Sequence, residues 1–344
     1  MAEAFTETAL GKPIRDLGLT ISGTPLEAIV DGLMREVEAA GIRRLRPRFY
    51  LSTEWGVPRD TIAIAMPFYL AHPELTELHA LRAGHLEGEG AADILRYLRH
   101  EMGHVVSYAY RLYTDERWTQ LFGRFGKRYR EEYRPKPFSR NYVRHLPGWH
   151  AQKHPDEDWA ETFAVWLTPG SDWRRQYAEW PAALAKLTYC NEVMARIGDQ
   201  EPVVTDEDRD EDVGEIAYTL DEFYRELEHG TAEEALPGGL DGALRDMFAD
   251  LAPRAGERPA PASALLRRLE RDLTTDVYRW TGHFPERTRG LVRRLTLRAE
   301  ELGLTYAAER ETAAVVAVTA LVAALVGPIR LSCSSSLLTM SATF

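Results

Sequence analysis

Two histidines four residues apart, with a glutamate beside the first, stand at His100-Glu101-Met102-Gly103-His104. Four residues make just over one turn of helix, so both imidazoles project from one face. A pair placed this way reaches a single zinc ion. Glu101 projects beside them, where a carboxylate can take a proton from zinc-bound water. A chance match to this spacing in a chain of such length is on the order of a few per cent, so its surroundings must support it.

A catalytic zinc needs a third protein ligand and one open position. The metzincin pattern sets a glycine and a histidine three and six residues after the second histidine. Ser107 and Tyr110 hold those places here. The other common source is a carboxylate on a later helix. The segment His154-Pro155-Asp156-Glu157-Asp158-Trp159-Ala160-Glu161 offers Glu157 and Glu161, four residues apart on one face. One of them can bind the metal while the other accepts a hydrogen bond from a ligating histidine, which fixes its tautomer. Spacing does not decide their order. Asp158 points elsewhere on the same helix.

These residues need elements to hold them. Ala91 to Tyr113 reads as a long helix, with Ile94, Leu98, Met102, Val105, Ala109 and Leu112 as one apolar stripe. That stripe faces away from the histidines, so the helix buries one side and offers the other to a cleft. Pro155 opens a helix over Asp156–Leu167, and Thr168-Pro169-Gly170 ends it. Upstream, Thr24-Pro25-Leu26-Glu27 carries a capping box for another helix. Arg48–Ser52 and Thr61–Met66 alternate as short strands. Ile62 to Met66 suits an ordinary core strand better than an edge that pairs with a peptide. Trp180–Ile197, Leu240–Leu251, Ala262–Trp280 and Glu286–Leu302 have helical periodicity. The fold class is therefore α+β: a small sheet with an active-site helix, followed by a mainly helical C-terminal domain.

With 344 residues and 44% hydrophobic content, the chain can bury a sizeable core, which excludes a disordered protein. Two cysteines, Cys190 and Cys333, exclude a disulfide scaffold and a cysteine-based zinc cluster. The net charge of −11 is uneven, because residues 201–234 hold 14 acids and two arginines. Such a block is expected to be a solvated linker. Residues 111–144 hold ten basic and four acidic side chains among many aromatics, a potential intramolecular partner for that block. Interleaving of this kind occurs in single-strand nucleic-acid binders, but more often marks a packed helix with a charged face. Nucleic acid is not an expected partner. The expected division is 13–198 catalytic, 199–234 acidic linker, 235–330 helical, and 331–344 frayed tail. The N-terminus has no basic start followed by an apolar run, so no signal peptide is expected. Ala313 to Val326 is too short to span a bilayer and reads as a buried helix. These features predict a soluble cytoplasmic protein.

The chain also resembles a family. An HExxH helix followed by a helix with two glutamates is similar to the gluzincins, including lethal-factor-like catalytic domains. More closely, IRDLGLTISGTPLE, IAMPFYLAHPEL, LRHEMGH, SRNYVRHLPGW and AQKHPDEDWAETFAVWLTP resemble a bacterial family of zinc-binding metallopeptidases. The likeness covers roughly residues 13–195. It implies a zincin-like domain with His100, His104 and Glu157 as zinc ligands, Glu101 as general base, and Glu161 supporting a ligand histidine. In the lethal-factor pattern, a tyrosine seven residues before the ligand glutamate stabilises the transition state. His150 stands there instead. An imidazole can still donate to a developing oxyanion, although it titrates near neutrality. His145 and His154 read as structural. The resemblance implies hydrolysis of a peptide or protein. The alternative is a catalytically silent, zinc-stabilised scaffold that acts through its helical C-terminal part.

Overall fold

A computed structural model describes residues 8–129, 135–229 and 239–326. The first helix, α1, runs Pro25–Ala39, with Pro25 at its first position and the Thr24 side chain accepting from the Leu26 N–H. Glu27 reaches back to the Gly23 N–H rather than to the cap residue, a variant of the expected capping box. Strands β1, Arg48–Ser52, and β2, Ala63–Pro67, then pair in parallel. All five residues of β2 are buried, and its Ala65 N–H donates to the Gly56 carbonyl on the side away from β1. This is the expected core strand.

The helix α2, Pro73–Ala83, is an addition to the elements read from the sequence. It leads to α3, Ala91–Ala109, which carries the two histidines. This helix stops four residues earlier than its periodicity predicts, because the chain turns at Arg111, whose φ is 47°. Every residue of the expected stripe is buried, Leu112 included. The elements α4, Glu116–Phe122, α5, Pro155–Leu167, and α7, Pro181–Ile197, complete the main core, while α6, Trp173–Gln176, sets Trp173 in a small separate cluster with Val143, Tyr177 and Leu187. Trp118, Phe122 and Phe125 of the basic, aromatic stretch pack into that core. Cys190 is a buried free thiol, which burial pushes well above its ordinary pKa.

The acidic segment is a correction. Over its described residues, 201–229, it is not a free linker: it returns to the sheet and completes the first core. The Ile62 N–H donates to the Asp206 carbonyl, and the Val213 N–H donates to the Leu51 carbonyl. Tyr50 Oη donates to the Asp210 carbonyl at 3.0 Å. Beyond it, α8, Leu220–His229, lies against α2. Val213, Ile216, Leu220 and Tyr224 belong to the main core, while residues 205–211 stay exposed. The apolar positions anchor the chain, and the carboxylates of residues 206–211 face water. The bonds named here run to the sheet and not to residues 111–144.

The helical C-terminal part has its own core. It is built from α9, Leu240–Asp250, α10, Ala262–Thr281, α11, Pro285–Glu301, and α12, Glu311–Leu325. Two short antiparallel strands, β3, Pro259–Pro261, and β4, Thr305–Ala307, join them. The expected buried helix is α12, but only one face is covered: Ala314, Val318 and Val322 are buried, whereas Val316 is 64% exposed. Among the described residues, no helix is long and apolar enough to cross a membrane. The expected frayed tail, 331–344, lies outside the described residues, as do 230–234 of the expected linker. Among the described residues the architecture is mixed and mainly helical, with two small two-stranded sheets.

One contact sets the geometry of the site. The helices α3 and α5 cross so closely at Gly103 that a Cβ there would lie 2.8 Å from the Ala160 Cα. The Trp159 indole N–H donates to the Gly103 carbonyl across the same crossing. A methyl group at 103 must push the helices apart. Gly103→Ala is therefore expected to cost about 1–3 kcal/mol of stability, as overpacking does. Denaturant unfolding checks this, and a stability equal to wild type would disprove the close-crossing argument.

Candidate metal centre

The helix α5 begins where Pro155 sets the backbone and His154 Nδ1 accepts from the Asp156 N–H. His154 Nε2 also lies 2.8 Å from the Lys127 carbonyl, so this histidine has a structural task. Acidic side chains suit a helix N-terminus, where unpaired N–H groups carry positive potential. Here four carboxylates, Asp156, Glu157, Asp158 and Glu161, are buried together. Buried carboxylates need partners. Each finds one, and the partners assign the roles.

Glu157 faces the histidine pair. Its Oε2 lies 3.1 Å from His100 Nε2 and 3.4 Å from His104 Nε2. The two Nε2 atoms are themselves 3.1 Å apart. Donor atoms on a tetrahedral zinc with ordinary bond lengths stand about 3.3 Å from one another. The three separations match that edge length. Nitrogen and carboxylate oxygen are also the donor types zinc takes in catalytic sites. By these distances His100, His104 and Glu157 could hold a metal ion.

The opposite ring nitrogens are held by carboxylates. His100 Nδ1 lies 3.0 Å from Glu161 Oε1, and His104 Nδ1 lies 3.0 Å from Asp156 Oδ2. This arrangement leaves each Nε2 facing the centre and raises its basicity. Glu161 is fixed in turn by the His145 and Leu146 N–H groups, which donate to it at 2.7 to 3.0 Å. Asp156 accepts from Tyr108 Oη at 2.6 Å. Asp158 points away and pairs with Lys186 at 2.6 Å. His145 is structural, with its Nε2 2.9 Å from the Arg96 carbonyl.

His150 joins the same group. Its Nε2 lies 2.8 Å from Glu157 Oε2. His100, His150 and Glu157 each offer a ligand atom, all within 4.8 Å of one another, so a buried His-His-Glu set here could hold a metal ion. Tyr129 Oη donates to the other oxygen, Glu157 Oε1, at 3.0 Å.

Charge follows this geometry. Burial lowers the pKa of His100, but hydrogen bonds to Glu157 and Glu161 outweigh it and raise the pKa to about 9. His104 is raised well above its ordinary value: burial opposes this, but Asp156 and Glu157 prevail. Burial opposes ionisation of Glu157, yet the three histidines hold its carboxyl well below its usual range. Burial pushes the Glu101 carboxyl up, which is the direction a proton acceptor near neutral pH needs. Glu101, His100, His104 and His150 share a cleft of about 780 Å³, which Glu54 and Trp55 wall on one side and Tyr278 and Phe284 of the helical part on another.

Sequence reasoning missed Asp156, Tyr108 and Tyr129. Tyr108 had a signal, because His100, His104 and Tyr108 fall at successive turns of one helix face. Asp156 is masked by standing next to Glu157. Tyr129 comes from a loop and has no periodic signal. No family model, curated protein or solved structure matches the chain.

Asp156→Asn and Glu161→Gln each weaken the acceptor that fixes one of the two histidines, His104 and His100. Each is expected to lower metal affinity about 10–100-fold while keeping the helical content. Competition titration against a chelating dye, alongside circular dichroism, checks this. Unchanged affinity in both variants would remove the two carboxylates from the centre.

Proposed function

We propose that this chain is a zinc-dependent peptidase of the glutamate-zincin type, with a zincin-like first domain. The observation that carries the reading is the back-to-back arrangement of α3 and α5. Two Nε2 atoms and one carboxylate oxygen face a common point, their Nδ1 atoms are backed by carboxylates, and Glu101 shares the cleft. A purely structural site has no use for Glu101. The metal is zinc, held by His100, His104 and Glu157. The substrate is a peptide or protein, and the protein works in the cytoplasm.

Bound zinc would polarise the scissile carbonyl and make a water molecule acidic enough to attack it. Glu101 takes the proton of that water on its carboxylate and passes it to the leaving amine. Burial raises the Glu101 pKa, which strengthens its carboxylate as a proton acceptor. Asp156 and Glu161 hold the imidazoles in the tautomer that presents Nε2. Tyr129 fixes the second oxygen of Glu157, so the carboxylate presents Oε2 to the centre.

Glu101→Gln is expected to keep one zinc per chain and to lose cleavage about 100-fold or more. The measurement is an unbiased peptide-library digest with and without chelator, paired with metal analysis of both proteins. A Glu101→Gln variant that cleaves like wild type would sink the mechanism. A wild-type digest indifferent to chelator would sink the zinc assignment.

A further inference from the structure

A hydrolytic zinc site keeps one coordination position for water or substrate. In this structure a third imidazole stands beside the three donors already named. Three histidine Nε2 atoms gather on Glu157 Oε2, His150 at 2.8 Å, His100 at 3.1 Å and His104 at 3.4 Å. The His150 ring meets the His100 ring edge-on, with centroids 4.9 Å apart. The His150 contact is the shortest of the three, and it comes from outside the two helices.

The backbone that delivers His150 is unusual. It starts a single 3-10 turn, His150–Gln152, directly after two residues with left-handed backbone. Gly148 has φ 75° and Trp149 has φ 62°. A bulky residue rarely adopts positive φ, and such strain persists only where its surroundings enforce it. The enforcement comes largely from the helical C-terminal part. The Trp149 indole N–H donates to the Trp280 carbonyl at 3.1 Å. A Cβ on Gly148 would lie 2.6 Å from the Tyr278 ring. Tyr278 and Trp280 both belong to α10. From within the first domain, the Arg144 guanidinium sits 4.1 Å from the Trp149 ring centre.

We propose that His150 is a fourth, displaceable ligand of the metal, and that docking of α10 on the Trp149 loop sets whether it is engaged. The proposal rests on the reading above that His100, His104 and Glu157 hold zinc. With His150 engaged, the centre has four protein ligands and no position for water. With the loop released, the centre opens. The helical part thereby acts on the chemistry through one backbone carbonyl and one ring, without touching the metal.

The test uses the full chain loaded with one equivalent of zinc. X-ray absorption at the zinc edge counts imidazole ligands, and calorimetry measures binding of acetohydroxamate, which must take the open position. Wild type is expected to show three imidazoles and His150→Phe two. The variant should bind acetohydroxamate about tenfold tighter, since no ligand has to leave first. Trp149→Phe removes the bond to Trp280 while leaving His150 in place, and should fall between the two on both measurements. Two imidazoles in wild type overturn the proposal, as does equal acetohydroxamate affinity in wild type and the His150 variant. If His150→Phe fails to fold or to take zinc, Trp149→Phe decides: an unchanged count and affinity overturn the proposal. Failure of the underlying reading looks different. Wild type would then bind no zinc, or would keep it after His100→Ala and His104→Ala together.

Discussion

The helices α3 and α5 approach within a glycine's width at Gly103 and Ala160, and the cluster of histidines and carboxylates depends on that distance. A helix buried on nearly every side, as α5 is, has nowhere to hide a charged side chain. It nevertheless carries four carboxylates in its first seven residues. Taking such groups from water costs several kcal/mol each unless they are paired and hydrogen-bonded. The close crossing supplies the pairing, because it lays the His100 and His104 face of α3 directly over Asp156, Glu157 and Glu161. The two imidazoles offset the burial of these carboxylates, and the imidazoles are oriented by the carboxylates. Neither set is stable in this position without the other.

That mutual dependence links folding to occupancy. The histidines hold their protons tightly while they neutralise Glu157 and its neighbours. A metal ion held there would have to take the place of those protons, so its affinity would rise as pH rises and proton competition fades. The carboxylates on the Nδ1 side work in the other direction, making each imidazole a better donor at Nε2. Asp156 and Glu161 thus serve the protein twice, as buried charges that need the histidines and as groups that tune them. Lys186 relieves the centre of the one carboxylate it cannot use, Asp158.

Whether a residue is legible in the sequence depends on whether it sits on a regular element. His100, Glu101 and His104 are readable because helical period places them on one face. The stripe from Ile94 to Leu112 is readable for the same reason, and it is buried as the period requires. Glu157 and Glu161 are readable as a pair but not in order, since one turn of helix separates them either way. Only their partners distinguish them: an Nε2 atom for Glu157, and an Nδ1 atom with two backbone N–H groups for Glu161. The contact of His150 with Glu157 is not readable from periodicity, and only the resemblance set His150 near that glutamate. It depends on a left-handed tryptophan, a local conformation that no periodicity encodes. The acidic segment misleads for a different reason. Its charge dominates any composition count, while the residues that anchor it, Val213, Ile216, Leu220 and Tyr224, are few and irregularly spaced. Backbone bonds to Leu51 and Ile62 do the rest, and they leave no mark on the side-chain pattern.

The cleft is consequently a product of distant parts of the chain. Its floor is α3, and Glu54 and Trp55 from the loop after β1 form one wall. Phe223 and Leu227 come from α8, beyond the acidic block, and Tyr278 and Phe284 come from the helical part. A segment expected to separate two domains instead carries one wall of the site to its place. The carboxylates of residues 206–211 remain outside because the apolar residues that follow are inside, and that division needs the chain to return to the sheet. The concentration of charge in residues 201–229 therefore does not mark a free linker. It marks the outer surface of a strap whose inner surface completes the first core and lines the cleft beside the histidines.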